Sequence, residues 1–136
     1  MSQSFEPINT VLGIIKGRDA IFLDDALYDG YRIELRGEFS SNLCSKSNEP
    51  DSYIGYSLTF VGVMGITVIE LDLNNDFGVS SFDRVINSAW ISEMRSRDLT
   101  AKVKPNLEHY FVATYDDVFN IACESFEVKI LETRKA

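Results

Sequence analysis

The clearest pattern in the chain is a two-residue alternation of apolar and polar side chains, the period of a strand with one buried face. Tyr31, Ile33 and Leu35 alternate with Arg32, Glu34 and Arg36. Asp29-Gly30 stands immediately before this run. An Asp-Gly pair is a strong signal for a type I′ hairpin, because glycine accepts positive φ without a steric cost. It predicts a partner strand over about residues 21–28. Further on, Ile54, Tyr56, Leu58 and Phe60 share one face of a strand, and Thr67, Ile69, Leu71 and Leu73 share one face of the next. Gly62 and Gly65 bracket what reads as a tight connection between them. Val61, Val63 and Ile66 make this region apolar on both faces, the mark of central strands. In the last third, Tyr110, Val112 and Thr114 alternate with His109, Phe111, Ala113 and Tyr115. Asp116-Asp117 predicts a turn, after which Phe119, Ile121 and Cys123 share a face. Phe126, Val128 and Ile130 resume after a register change at Glu124-Ser125 that reads as a bulge.

Other segments break this period. Ile8, Val11, Leu12 and Ile15 have helical spacing closed by Gly17, although their β-branched residues equally suit an extended segment. Residues 40–52 form a thirteen-residue polar loop, of a length associated with function or mobility. "SFDRVI" reads as a short strand. Ser88 is placed to cap a helix from Ala89 to about Arg97, with Ile91 and Met94 as apolar anchors. "LTAKVKPN" reads as an exposed basic linker. Together these elements predict a single domain over residues 1–136, mainly β within the α+β class. Six to eight antiparallel strands would form a sandwich or a partly open barrel, with one or two short helices.

Charge narrows the range of partners. The net charge of −8 is carried entirely by residues 1–83, which hold 13 acidic and 5 basic side chains; residues 84–136 hold 8 of each. An acidic surface repels phosphate backbones, which argues against nucleic acid and for a basic protein partner. Cys44 and Cys123 have neither zinc spacing nor a neighbour that calls for a disulfide, and reduced thiols in a cytoplasm are the simpler expectation. The first ten residues lack the basic and apolar regions of a signal peptide. No stretch of 18 apolar residues is present, so no membrane span is expected.

Candidate chemistry is sparse. "LDLNNDFGVSSFD" (71–83) places Asp72, Asn74 and Asp76 at the first three ligand positions of a calcium loop, with Asp83 at the twelfth. Phe77 occupies the position that needs glycine, Gly78 comes one residue late, and the flanks read as strands. A polar turn is the better reading, with a calcium loop of another kind as the alternative. His109 is the only histidine, so imidazole catalysis would have to use it. Asp24-Asp25 interrupts an apolar strand, which marks either a protected sheet edge or a binding face. Asp116-Asp117 is explained by its turn. The Tyr-rich composition suits half-buried or interface positions. No phosphate-binding glycine loop, zinc-protease motif or nucleophile elbow occurs, and no cofactor is called for.

The run "HYFVATYDDVFNIACESFEV", preceded by "NSAWISEMR", is similar to the ends of small bacterial β-proteins. The layout as a whole resembles bacterial immunity proteins, which neutralise a toxin made by the same strain. That resemblance implies a short, acidic, cytoplasmic, non-enzymatic domain that binds a basic toxin, with nucleases as natural targets. It carries no functional residue across. The acidic side chains expected to meet such a partner are Asp24, Asp25, Asp29, Asp51, Asp72 and Asp76. A structural or regulatory subunit is a reading that the sequence does not separate from this one, and two further alternatives stand beside it. One is a small-ligand-binding β-domain, expected to show an apolar cavity lined by Tyr56, Phe60 and Phe111. The other is an enzyme in which His109 and two carboxylates converge.

Overall fold

The computed structural model describes residues 2–74 and 77–136. Among them, nine strands and one α-helix follow in the order β1 (Ser4–Pro7), β2 (Ile21–Asp29), β3 (Arg32–Ser40), β4 (Ser52–Val61), β5 (Gly65–Glu70), β6 (Phe82–Ile86), α1 (Ala89–Arg97), β7 (Glu108–Ala113), β8 (Asp117–Cys123) and β9 (Ser125–Lys135). Short 3-10 turns occupy Ser41–Leu43 and Leu71–Leu73. The strands form two open antiparallel sheets, one in the order β1-β6-β7-β8-β5 and one in the order β2-β3-β4-β9. The fold is mainly β, as the alternation implies. Among the described residues, no helix is long and apolar enough to cross a membrane.

The core lies between the sheets. Ile33, Leu35, Ile54, Leu58 and Phe60 of the four-stranded sheet meet Phe82, Tyr110, Val112, Phe119 and Ile121 of the five-stranded sheet. Burial of Leu58 and Phe60, each almost without exposure, contributes roughly 1.5–3 kcal/mol per side chain. Phe39 and Tyr56 stack with ring centroids 4.2 Å apart. The Tyr56 hydroxyl donates to the Phe22 carbonyl at 2.9 Å, which gives the buried phenol a partner. Burial moves its pKa upward.

The short-range signals translate directly into structure. β2 and β3 pair from Asp29↔Arg32 inward around a two-residue loop, Gly30-Tyr31. Gly30 has φ +61° and Tyr31 does not share it, so positive φ falls on the first loop residue alone, as in a II′ turn rather than the I′ turn expected. Tyr31 belongs to this loop and is exposed, while Ile33 and Leu35 are buried as the alternation requires. Ser88 caps α1, its Oγ accepting from the Ile91 amide at 3.2 Å.

Long-range placement departs from expectation at four points. Residues 8–16 form no helix: Thr10 and Gly13 close a turn in which Gly13 has φ +81°, and Ile15 bridges to Cys44. The Gly62–Gly65 connection is not a hairpin, because β4 and β5 lie in different sheets and Gly62, at φ +67°, carries the chain between them. β5 is consequently an edge strand rather than a central one, and it ends at Glu70, with Leu71–Leu73 turning away as a 3-10 turn. The register change at Glu124-Ser125 is a second crossing between sheets and not a bulge: β8 pairs with β5 and β7, β9 with β4. A further strand, β1, was not anticipated.

The two faces of the five-stranded sheet are both covered. Its outer face carries Asp83, Val85, His109, Phe111, Val118, Asn120 and Ala122. α1, with Ile91, Trp90 and Met94, packs over Ala122 together with Leu107, while Phe5 and Leu71 cover Val85, Phe111 and Val118.

One glycine is fixed by space alone. A Cβ on Gly37 would lie 1.8 Å from the Phe22 carbonyl oxygen, the atom that Tyr56 bonds. We therefore expect Gly37→Ala to cost on the order of 3 kcal/mol in urea denaturation. Gly30→Ala, which meets nothing within 4 Å but carries the positive φ, should cost about 1 kcal/mol. Equal costs would show that Tyr56 and β2 shift freely.

Candidate functional site

Among the described residues, the two buried ionisable polar side chains, Asp83 and His109, both lie on the outer face of the five-stranded sheet. Asp83 is completely buried. Its Oδ2 accepts from the Val79 amide at 2.8 Å and the Ser80 amide at 3.2 Å, and its Oδ1 accepts from the Ser80 hydroxyl. A carboxylate taken out of water persists only where donors replace the lost hydration. The 78–80 segment folds around Asp83 for that reason. Gly78 is required there, since a Cβ would lie 1.9 Å from Asp83 Oδ2 and 2.9 Å from the Phe111 ring.

This settles the role of Asp83 in "LDLNNDFGVSSFD". The EF-hand arrangement needs Asp72 and Asp83 to point at one ion. Asp72 instead sits in the exposed 3-10 turn, 3.6 Å from the Arg18 guanidinium, and Asp83 turns inward. Among the described residues no cluster of three or more acidic, histidine or cysteine side chains suited to a metal is present. Asp76 lies outside the described residues.

His109 occupies the same face one strand position from Phe111's neighbour Tyr110, and it is almost fully buried. Its Nδ1 lies 2.7 Å from Ser88 Oγ and its Nε2 lies 2.7 Å from Asn120 Oδ1. Asn120 Oδ1 can only accept, so Nε2 carries the proton and Nδ1 accepts from the Ser88 hydroxyl. Burial lowers the imidazole pKa, and the Asn120 bond opposes this in part. The Trp90 ring stands edge-on to it at 5.1 Å. Hydroxyl, imidazole and amide are in the order of a nucleophile, base and orienting group. The setting suits anchorage better. Ser88 Oγ also holds the Ile91 amide as the cap of α1, and the partner of Nε2 is a neutral amide rather than a carboxylate. Burial moreover disfavours the imidazolium that a base must become. Among the described residues, the hydrogen-bonding partners of His109 are Ser88 and Asn120, neither of them a carboxylate, and Glu108 is the one acid that lines the same shallow pocket of about 280 Å³.

The expected apolar cavity is likewise not formed by its three residues. Tyr56 and Phe60 are packed into the inter-sheet core, and Phe111 faces the opposite side of β7. A different pocket, of about 450 Å³, opens beside Phe111. Phe111 and Ala113 form its floor, and Leu71, Phe77 and Val79 its walls. Lys16, Arg18 and Asp72 stand at its exposed edge. Sequence reading missed this pocket because it is assembled from three distant segments.

The predicted acidic side chains are not brought together. Asp24 and Asp25 are exposed on β2 at a register shift, and β2 is an edge strand. Asp25 lies opposite Arg36, and Asp29 opposite Arg32. Asp51 is at the other end of the sheet, about 30 Å from Asp29 by strand length. Its backbone has φ +53°, and its side chain and amide are engaged by Asn42. Asp72 is on the five-stranded sheet's side of the molecule, paired with Arg18.

Both cysteines are free and buried. Desolvation pushes the Cys44 thiol up to about 11 and the Cys123 thiol up to about 12, which keeps both protonated and unreactive at neutral pH. Comparison with known proteins finds no matching family model, no similar curated protein and no similar solved structure.

Two measurements check these assignments. Asp83→Ala strands two amides and a hydroxyl and should cost roughly 2–5 kcal/mol in urea unfolding, whereas Asp83→Asn, which keeps an acceptor oxygen, should cost less. His109 has a folded pKa below its ordinary value, so the unfolded chain binds the proton more readily as pH falls through that value. Stability attributable to His109 is present above the ordinary histidine pKa and is lost on acidification, with a slope of at most about 1.4 kcal/mol per pH unit. Trp90 fluorescence should report the same titration, and His109→Gln should remove it. A Trp90 titration that persists in His109→Gln would assign it to another group.

Proposed function

We propose that this protein is a non-enzymatic, cytoplasmic protein-binding domain of the immunity type, which captures and neutralises a basic bacterial toxin, a nuclease in its sharpest form, through the free edge of β2. The observation that supports this reading most directly is the state of residues 24–29. All six are exposed, although they belong to a regular strand.

An exposed strand edge is a template for pairing with another chain, and proteins normally blunt it with charges and bulges. β2 is blunted over its first half only. The register shift between Leu23 and Asp25, with Asp24 and Asp25 beside it, bends and charges that part. Beyond it, Ala26, Leu27 and Tyr28 continue in unbroken register to the turn, where Tyr31 is also exposed. Leu27 and Tyr28 point to opposite faces and both remain more than half exposed. An apolar segment left open at an edge, between aspartates at 24, 25 and 29, has the composition of a binding site with a core of large side chains and an acidic rim.

The rim is suited to steering. Asp24 is the extra residue of the register shift and has no cross-strand partner, whereas Asp25 and Asp29 lie opposite Arg36 and Arg32. A basic partner would be drawn toward it over about a Debye length, roughly 8–10 Å at physiological salt. Affinity would come from Leu27, Tyr28 and Tyr31. Among the original acidic candidates, Asp24, Asp25 and Asp29 remain in this proposal, and Asp51 and Asp72 do not share its surface.

Replacing Tyr28 by p-benzoylphenylalanine and irradiating the cells that naturally make the protein tests the proposal. The expected outcome is one dominant adduct to a basic protein, reduced severalfold by Asp24→Lys/Asp25→Lys and absent with the photo-residue at Thr133 on β9. No adduct at position 28, or one indifferent to charge reversal, overturns it.

A further inference from the structure

We propose that the pocket beside Phe111 binds a small monoanion with an apolar body, of the medium-chain carboxylic acid class. The proposal is independent of the β2 edge, which contributes nothing to this pocket.

The volume of about 450 Å³ falls within the range of small-molecule sites. Its floor is apolar and rigid. Phe111 is buried on the sheet and meets the Phe5 ring edge-on at 5.5 Å. Gly78 approaches it so closely that no side chain would fit between. Asp83 in turn fixes the 78–80 segment of the wall from behind, through the Val79 and Ser80 amides. The site is thus formed before any ligand arrives, which lowers the ordering cost of binding.

The polar lining groups determine what the occupant must carry. The Ser80 hydroxyl is committed to Asp83 and to the Phe82 carbonyl. The Ser81 hydroxyl donates to the Gly17 carbonyl at 2.9 Å and accepts from the Gly17 amide at 3.1 Å. The Thr114 hydroxyl donates to the Asp117 carbonyl and accepts from the Asp117 amide. These groups close the fold and have little left to offer a ligand. Among the described residues the charged edge remains: Lys16, Arg18 and Asp72, a net of one positive charge in a chain of net −8.

Arg18 is held in place from two sides, by Asp72 at 3.6 Å and by the Tyr115 ring 5.4 Å beneath its guanidinium. Its planar fork is suited to a carboxylate. Lys16 takes part in no ion pair among the described residues. An anion at this edge would gain a second cation contact that the free protein does not supply. A neutral alcohol would gain only the apolar part, and an ammonium would face the net positive edge. An apolar tail reaching toward Phe111 and Ala113 completes the fit.

NMR titration of the labelled protein with sodium octanoate, octan-1-ol and octylammonium provides the test. Octanoate should give saturable one-site shifts at Gly78, Ala113 and Thr114, with affinity about tenfold or more above the alcohol and the amine. Lys16→Glu/Arg18→Glu, at two exposed positions, should leave the rest of the spectrum unchanged and lower octanoate affinity by about tenfold or more. Val79→Trp, which fills the pocket, should abolish binding of all three. Failure of octanoate to saturate, shifts that map elsewhere, equal binding of the alcohol or amine, or an unaffected double variant each overturn the proposal.

Discussion

Burial of the five-stranded sheet on both faces is the constraint on which the rest of the molecule depends. A single-faced sheet can leave its outer polar groups to water. β7 cannot, because its four central residues are all buried. Asp83, His109 and Asn120 therefore had to be satisfied by protein atoms, and each satisfaction fixes a piece of covering structure. Asp83 organises the 78–80 wall. His109, held by Asn120, presents Nδ1 to Ser88 and so orients the cap of α1. The helix has little amphipathic drive of its own, and a nine-residue helix is marginal in isolation. Its place over Ala122 owes more to this buried bond and to Ile91 than to its sequence pattern.

The two sheets are consequently different materials. The four-stranded sheet buries one face in the core and turns Glu34, Arg36, Ser57 and Lys129 outward, where Glu34 accepts from Ser57 and Arg36. Those two bonds hold the Glu34 carboxyl below its usual range. Its interest lies at the β2 edge beyond Leu23, where no further strand of the described residues pairs with it. The five-stranded sheet instead offers enclosed surface between its two covers, and the pocket beside Phe111 is the gap they leave. A polypeptide partner fits the first kind of surface and a small molecule the second.

What the sequence made legible was whatever depends on neighbours in the chain. The β4 alternation, the Asp29-Gly30 loop and the span of α1 with its Ser88 cap all follow from contacts within a few residues. Sheet membership did not follow. A short glycine-bracketed link looks the same whether it folds a strand back on itself or carries it to another sheet, so the tight connection at Gly62–Gly65 does not reveal its crossing, and the crossing at Glu124-Ser125 looks like a bulge. Residues 8–16 show the same limit. Their apolar spacing suits a helix, but Ile8 and Ile15 are buried by separate long-range contacts, with Phe82 and Cys44, around an exposed Val11. The partners of Asp83 were local and readable as a turn; those of His109, at Ser88 and Asn120, come from other elements and were not.

Charge counting had the opposite weakness, being global where the structure is local. The excess of −8 over residues 1–83 is genuine, but it does not make a single acidic face. Asp72 pairs with Arg18, and Asp25 and Asp29 stand opposite Arg36 and Arg32 across the strand pair, so three of the five described candidates have a cation beside them that the linear tally places anywhere in the first half of the chain. Asp51 is spent on closing its loop. Neighbouring opposite charges in water-exposed positions contribute little stability, yet they cancel much of the field felt at a distance. What the aspartates leave exposed then matters more than their number. On β2 that is Leu27 and Tyr28; at the mouth of the pocket it is Lys16. Recognition by this molecule would follow those residues, an apolar edge on one sheet and an unpaired lysine beside Arg18 above an apolar floor on the other, with the net acidity acting on the approach of a partner and not on its final fit.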